Sequence, residues 1–172
     1  MNVLKIVTEP DSILRKKCEP VEEVNNQLRV LMDDMLETMY KAPGIGLAAI
    51  QVGVLKRLLV IDVSKDTQKK TPLFIINPKL TFVSKNTSIY EEGCLSLPGQ
   101  FAEIERPAEC HLNYIDYNGK LQELKAEGLL ATCIQHEIDH LNGILFIDYL
   151  SKLKKTMIIK KLSKSKSSRI VV

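Results

Sequence analysis

Two of the three histidines in the chain lie four residues apart, with a glutamate between them. They are His136 and His140, and the glutamate is Glu137. On a helix, residues i and i+4 share one face, so both imidazole rings can direct a nitrogen at one metal ion. Glu137 points about 100° away from His136 around the helix axis. It is therefore better placed to act as a base on a metal-bound water than to bind the metal itself. A partly exposed helix with ordinary polar residues is the alternative.

A catalytic metal site of this kind needs a third protein ligand and one open position. The two common protease continuations of the motif fail, because Phe146 stands where one requires a histidine and no glutamate follows Glu137. His111 lies in an alternating strand pattern, where a lone histidine usually serves packing or the surface. Cys94 is the other upstream candidate, since a thiolate binds metals and adds charge. A buried thiol without a metal is the alternative for Cys94.

The setting of Cys94 is the stretch EEGCLSLPG, residues 91–99. Gly93 permits a close approach of the backbone. We expect Pro98 to end any regular strand, which is typical where the backbone packs around a ligand.

A third segment, GIGLAAIQVG at residues 44–53, places two glycines before small apolar residues and Gln51. By itself this segment could be a packed turn. Together, GIGLAAIQ, EGCLS and QHEIDHLNG resemble, in this order and at these separations, the three motifs of peptide deformylase. The resemblance extends from about residue 4 to residue 153 and includes the opening PD..LR.

The resemblance implies an activity and a role for each motif residue. The family removes the formyl group from the N-terminal formyl-methionine of nascent polypeptides and releases formate. Metal-bound water would attack the formyl carbon, with Glu137 as general base and then acid. Gln51, through its side-chain amide, and Leu95, through its backbone N–H, would stabilise the oxyanion. The implied metal ligands are Cys94, His136 and His140.

Coordination chemistry leaves the metal open among zinc, cobalt, nickel and ferrous iron, because the order of affinities does not fix occupancy in the cell. The resemblance implies Fe²⁺, which Zn²⁺, Ni²⁺ or Co²⁺ can replace. A thiolate beside ferrous iron is readily oxidised, so we expect activity to be lost in air.

An apolar slot for the methionine side chain is expected beside the metal. Leu129, Thr132 and Cys133 share the helical face of His136. Ile45 and Tyr90 match pocket positions of the family. Gly46 lies in the 44–46 segment, along which the substrate backbone would pair. Tyr90 is larger than the aliphatic residue common at its position. The predicted substrate-binding residues are Ile45, Gly46, Tyr90, Leu129, Thr132 and Cys133.

One departure from the family concerns the orientation of the peptide. Many bacterial members carry an arginine shortly after the cysteine motif, where Phe101 stands in this chain. The sequence leaves open whether Arg106 takes that role.

The patterns around the motifs predict an α+β fold, with mainly antiparallel sheets packed around a central HExxH helix. Apolar residues recur at helical spacing over about residues 25–41 and again from Gly128, where Gly143 is placed to end the helix. Segments 57–63 and 72–80 predict strands, and a hairpin is expected around Asn118 and Gly119.

Further helices are expected near both ends, within a single catalytic domain spanning residues 1–172. A short N-terminal helix should follow Asp11 or Ser12, either of which can cap it. An amphipathic helix should begin near Ser151. Its predicted apolar stripe is Leu153, Met157, Ile158 and Leu162.

The C-terminal segment, residues 151–172, is strongly basic, with seven lysines and one arginine between Ser151 and Arg169 and no acid. It is either a solvated helix face with a tail or a surface that docks on the ribosome. We expect a monomer that binds neither DNA nor a membrane. The start of the chain is unlike a signal peptide, which predicts the cytoplasm or an organelle interior. Four cysteines without a CxxC pattern predict thiols or metal ligands.

Two rival functions remain at this point. A metalloprotease that cuts internal peptide bonds is disfavoured by Phe146, by the missing downstream glutamate and by a cysteine as third ligand. A non-enzymatic domain with a structural metal, docked on the ribosome by its lysines, is disfavoured by Glu137 beside the ligands.

Overall fold

The fold combines a five-stranded sheet, a separate β-hairpin and α-helices. The computed structural model describes residues 1–171, with side chains described through residue 164. Its helices are α1 (Asn26–Lys41), α2 (Gly128–Leu141) and α3 (Lys152–Val171), with short 3-10 segments at Ser12–Arg15, Ala49–Val52 and Phe146–Tyr149. Its strands are β1 (Gly46–Ala48), β2 (Leu58–Ile61), β3 (Leu73–Val83), β4 (Thr87–Cys94), β5 (Leu97–Pro107), β6 (Glu109–Ile115) and β7 (Leu121–Glu127).

All strand pairs in both sheets are antiparallel, as predicted. The large sheet has the order β1-β2-β3-β6-β7, and β4 pairs with β5 alone. The predicted strands at 57–63 and 72–80 correspond to β2 and β3. The predicted hairpin is formed by β6 and β7, with Gly119 at a φ of 83° in the connecting turn. The α+β class is therefore confirmed.

The hairpin of β4 and β5 was not predicted, and the expectation for Pro98 was wrong. Pro98 is the second residue of β5, which continues to Pro107. A two-stranded sheet has two free edges, and proline is tolerated where its missing N–H faces away from the partner strand. The residues between the strands are Leu95 and Ser96, so the motif around Cys94 is a tight turn.

Helix α1 forms where the sequence predicts it. The Asn25 side chain caps it by accepting from the Leu28 N–H at 2.9 Å. Three of its methionines, Met32, Met35 and Met39, are fully buried against the large sheet. The helix thereby supports the segment that enters β1.

Helix α2 follows β7 directly and is buried along most of its length. It packs against the large sheet through a core that includes Ala131, Ile134 and Ile138. Gly143, at a φ of 76°, lies just beyond its end. A Cβ at this position would stand 2.4 Å from the carbonyl oxygen of Arg15, so only glycine lets the two segments approach.

Helix α3 begins one residue after the predicted position, but its predicted apolar stripe was partly wrong. Leu153 is 71% exposed and Met157 is 50% exposed. The buried face is formed by Ile158, Ile159 and Leu162, which pack on a core containing Phe146. Contact with β5 and the Phe146–Tyr149 segment therefore selects the face. The distal end of the basic segment, including Lys166 and Arg169, lies outside the described side chains.

Within the described residues, no helix combines the length and apolar character needed to span a bilayer.

Candidate metal centre

The three predicted ligands come from two elements that are distant in sequence. Cys94 is the last residue of β4, whereas His136 and His140 lie one turn apart on α2. One ligand atom from each residue lies within 4.8 Å of the other two. Sγ of Cys94 is 3.3 Å from Nε2 of His140. Bonds of about 2.0–2.3 Å to one cation place its ligand atoms roughly 3–4 Å apart, so the cluster is close to the required size.

Glu92 holds the ring of His136 from outside the ligand cluster. Its Oε1 accepts from Nδ1 of His136 at 2.8 Å. Two nitrogens of Arg106 donate to the same carboxylate at 2.7 and 3.0 Å, and a third donates to Asp139 at 2.8 Å. All of these groups but Asp139 are almost completely buried. The network leaves Nε2 as the nitrogen through which His136 can bind a metal.

The charges around the cluster favour a cation. Burial by itself would lower the pKa of His136, but hydrogen bonds to Cys94 and Glu92 and the charge of Glu137 raise it to about 10. The negative groups that favour a proton on the His136 ring also favour a metal ion bound to that ring. Burial holds the pKa of His140 well below its ordinary value, so that ring is neutral and ready to bind a metal.

Glu137 faces the same space from α2. Burial raises its pKa to about 7, and the nearby charge of His136 opposes this rise. Its Oε1 is 4.0 Å from Nε2 of His136, and its buried Oε2 has no hydrogen-bond partner among the described residues. An acceptor left unpaired inside a protein is costly unless a ligand or water satisfies it. This oxygen is therefore suited to take a proton.

Gln51 is fixed by three hydrogen bonds at the edge of the cluster. Its Oε1 accepts from the Ala48 N–H at 2.9 Å. Its Nε2 donates to Oγ of Ser96 at 3.0 Å and is 3.5 Å from Sγ of Cys94. Because the side chain is 1% exposed and held at both ends, its amide N–H is preorganised beside the ligands.

A cavity of about 420 Å³ opens beside the cluster. Gln51, Cys94, Leu95, His136 and Glu137 contribute to its wall. The structure also brings the predicted substrate-binding residues together in this wall: Ile45, Gly46, Tyr90, Leu129, Thr132 and Cys133.

The cavity wall also includes Phe101, which is 63% exposed. Arg106 is not part of the wall among the described residues and is buried in ion pairs with Glu92 and Asp139. Its guanidinium is therefore engaged in supporting the ligand cluster.

Comparison with known proteins decides the family. The polypeptide deformylase model matches residues 3–156. The chain belongs to the peptide deformylase family. A peptide deformylase of Pelagibacter ubique is 66% identical over 172 residues and covers 100% of both chains.

Solved structures of peptide deformylases agree with this family. A crystal structure from Ehrlichia chaffeensis superimposes with a TM-score of 0.94 at 46% identity, covering 98% of this chain and 99% of that one. A second structure from the same organism, in complex with actinonin, gives a TM-score of 0.92 at 48% identity and covers 96% and 98%. The fold and family are shared over nearly the whole chain.

Metal-dependent deformylation is the activity of the peptide deformylase family, so the chain is a hydrolase of protein biosynthesis. Its donor set fits a metal cofactor, since a thiolate and two imidazoles meet in one buried cluster. Both rival functions considered from the sequence are set aside by the family.

Two residues of this deformylase site were missed by sequence reasoning. Glu92 orients His136, and Ser96 orients the Gln51 amide. The adjacent acids before Gly93 were a signal for the first, because a carboxylate commonly supports a metal-binding histidine. Ser96 lies in the EGCLS motif, but nothing local indicates its partner, because Gln51 lies in another segment.

Proposed function

We propose that this chain deformylates nascent peptides through a ferrous ion held by Cys94, His136 and His140. The observation that carries the proposal is the closeness of the three donor atoms, within 4.8 Å, beside the unpaired carboxylate oxygen of Glu137. In this reading α2 is the central helix of one catalytic domain, because it carries two ligands and the base.

The chemistry divides between the ion and the protein. A divalent cation lowers the pKa of bound water from about 15.7 to roughly 7. Glu137 accepts a proton from the attacking water and passes it to the departing amine, which otherwise leaves poorly. Its raised pKa, about 7, suits both directions of this transfer near neutral pH.

Two N–H donors match the single oxyanion of the tetrahedral intermediate. The amide of Gln51 is already oriented by Ala48 and Ser96. The backbone N–H of Leu95 lies in the turn directly after Cys94. Losing one such donor typically costs about 3–4 kcal/mol of transition-state stabilisation.

The six predicted substrate-binding residues, all of which lie in the cavity wall, form the proposed methionine slot. Leu129, Cys133 and Ile45 supply apolar surface, and the backbone at Gly46 is available to pair with the substrate. Tyr90, which is larger than the aliphatic residue common at its position in the family, lies in the same wall, and an unbranched methionine side chain is the expected occupant. Actinonin, which is bound in the Ehrlichia chaffeensis relative, should occupy the same cavity in this chain.

A formate-release assay tests the function. Formyl-Met-Ala should be hydrolysed with release of formate, and the unblocked peptide Met-Ala-Ser should remain intact. Cleavage of the unblocked peptide without any formate from the first would contradict the proposal.

The identity of the ion is tested by metal analysis of protein purified without oxygen. We expect iron at about one equivalent and loss of activity in air, since a thiolate beside ferrous iron is prone to oxidation. The zinc-loaded form should be stable in air and slower. Full activity of the iron-loaded form after hours in air would argue against ferrous iron.

The basic segment 151–172 is proposed to dock on ribosomal RNA, and the chain to act as a cytoplasmic monomer. Lys155 is already paired with Asp148 at 2.7 Å, which leaves other lysines of α3, such as Lys160 and Lys161, to supply the positive surface. Deleting residues 151–172 should weaken cosedimentation with ribosomes at low salt, and raising salt should do the same to the full chain. Unchanged cosedimentation of the truncated chain would refute docking through this segment.

A further inference from the structure

The N-terminal strap, residues 2–9, contacts the metal centre through its backbone. The N–H of Val7 donates to the carbonyl oxygen of Gln51 at 2.7 Å. The N–H of Glu9 donates to the carbonyl oxygen of Ser96 at 2.9 Å. Two strap residues therefore bind two segments that are far apart in sequence.

Those two segments carry the proposed oxyanion donors. One donor is the side-chain amide of Gln51, and the other is the N–H of Leu95, which immediately precedes Ser96. The strap joins the backbones of these segments, while the bond from Gln51 Nε2 to Ser96 Oγ joins their side chains. The position of each donor is thus tied to the other by two separate connections.

The other end of the strap is anchored on α1. The N–H of Asn2 donates to Oδ1 of Asp34 at 2.7 Å, and the N–H of Leu4 donates to Oγ1 of Thr38 at 2.8 Å. Both acceptors are buried. The strap is therefore held at both ends.

The length of the strap limits the separation of the two donor segments. Val7 and Glu9 are two residues apart, so their N–H groups can be separated by no more than about 7 Å. Stabilisation of an oxyanion requires donors placed at about 2.7–3.1 Å from the developing charge, and an error of about 1 Å can cost roughly 10²-fold in rate.

We propose that the N-terminal strap is a positioning element that sets the spacing of the oxyanion donors of Gln51 and Leu95. The inference rests on the proposed function of these two donors. Strap residues do not touch the reacting atoms and act through the backbone carbonyls of Gln51 and Ser96.

The substitution Val7→Pro tests this role, because proline removes the N–H that binds Gln51. We expect kcat for formyl-Met-Ala to fall at least about 10-fold, with KM and metal content changed by less than about 2-fold. Val7→Ala is the matched control, because it removes packing but keeps the N–H. It should lower the melting temperature and leave kcat within about 2-fold of the unmodified protein.

A second experiment separates positioning from a general loss of structure. In a Gln51→Ala background one donor is already absent. Adding Val7→Pro should therefore lower kcat much less than it does in the unmodified protein. Equal effects in both backgrounds would overturn the proposal, as would a kcat for Val7→Ala as low as that for Val7→Pro.

An ester at Val7 provides the same test if the proline variant does not fold. It replaces the N–H of Val7 with an oxygen while keeping the side chain, and it can be made by joining a synthetic peptide of residues 1–17 to residues 18–172 through Cys18. An unchanged kcat for the ester protein would refute the role of this hydrogen bond. If the unmodified protein itself releases no formate, the proposed function fails instead, so the two failures are distinct.

Discussion

Oε1 of Glu92 lies 2.8 Å from Nδ1 of His136, so a carboxylate two residues before the end of β4 fixes a ring on α2. The contact orients Nε2 toward Cys94 and His140. It also explains why Arg106 is buried, since its guanidinium neutralises Glu92 from the other side. The ligand cluster is thus supported by a charged network rather than by packing alone.

Replacing Glu92 with Gln should weaken metal binding by about 10–100-fold, because the charged acceptor that orients His136 is lost. Competition with a chelator measures the effect. Glu103→Gln is a matched control, since Glu103 is exposed on β5 of the same hairpin. Equal metal affinity in the two variants would show that Glu92 does not support the ligand.

Replacing Glu137 with Ala should abolish most activity and leave metal content close to normal. The residue acts on protons and is not part of the three-ligand cluster, so kcat should fall by at least about 10²-fold. Cys94→Ala should instead lose the metal together with the activity. Metal analysis and a formate-release assay on both variants test this difference. A Glu137→Ala protein that had lost its metal would contradict the prediction.

Replacing Gly46 with Ala should reduce kcat while the protein still folds and binds metal. A Cβ at this position would lie 2.7 Å from Oε1 of Glu137 and 3.0 Å from Sγ of Cys133. The Glu137 carboxylate is the flexible partner, so it should move away from its working position. We expect a loss of about 10–100-fold in kcat. A kcat equal to that of the unmodified protein would show that Glu137 tolerates this shift.

Replacing Asp148 with Asn should lower stability at neutral pH by about 1 kcal/mol. Its carboxylate accepts from Arg15 at 2.6 Å and pairs with Lys155 of α3 at 2.7 Å. Burial would raise the pKa of Asp148, but the bonds from Lys155 and Arg15 outweigh it and hold the pKa below its ordinary value.

A carboxyl whose pKa is lowered by folding stabilises the protein above its ordinary pKa, and this contribution is lost as the pH falls through the folded value. The difference in melting temperature between the unmodified protein and the Asp148→Asn variant should therefore be full at pH 7. It should shrink as the pH falls below the ordinary pKa of an aspartyl group, about 3.9. Metal-free samples keep ligand release out of the measurement. A difference that is constant with pH would exclude the charge of Asp148 as its source.

Residue types and spacing made His136, His140 and Cys94 candidate ligands, and the resemblance to peptide deformylase selected them together. A pair of histidines four apart on an apolar helical pattern has its geometry determined locally, because the helix sets their separation. The approximate limits of α1 were predicted from apolar spacing and the hairpin of β6 and β7 from Asn118 and Gly119, because both signals are local.

Other features depended on contacts between segments that are distant in sequence. The pairing of β4 with β5 places Cys94 directly before a tight turn, and no local pattern around Pro98 indicated this pairing. Leu153 and Met157 fit an apolar stripe by spacing, but the surface against which α3 packs selects Ile159 instead. Helical periodicity defines faces and does not say which face a neighbour will cover.

The sequence by itself determined the candidate residues of the site, because the chemistry of thiolate, imidazole and carboxylate belongs to residue types and because the three motifs resemble those of peptide deformylase. Only the tertiary structure decided what holds them in place: Glu92 behind His136, Ser96 on Gln51, and the N-terminal strap across both donor segments. Each of these contacts joins groups far apart in the chain. Their geometry arises from how the elements pack, which is a property of the whole fold rather than of any one segment.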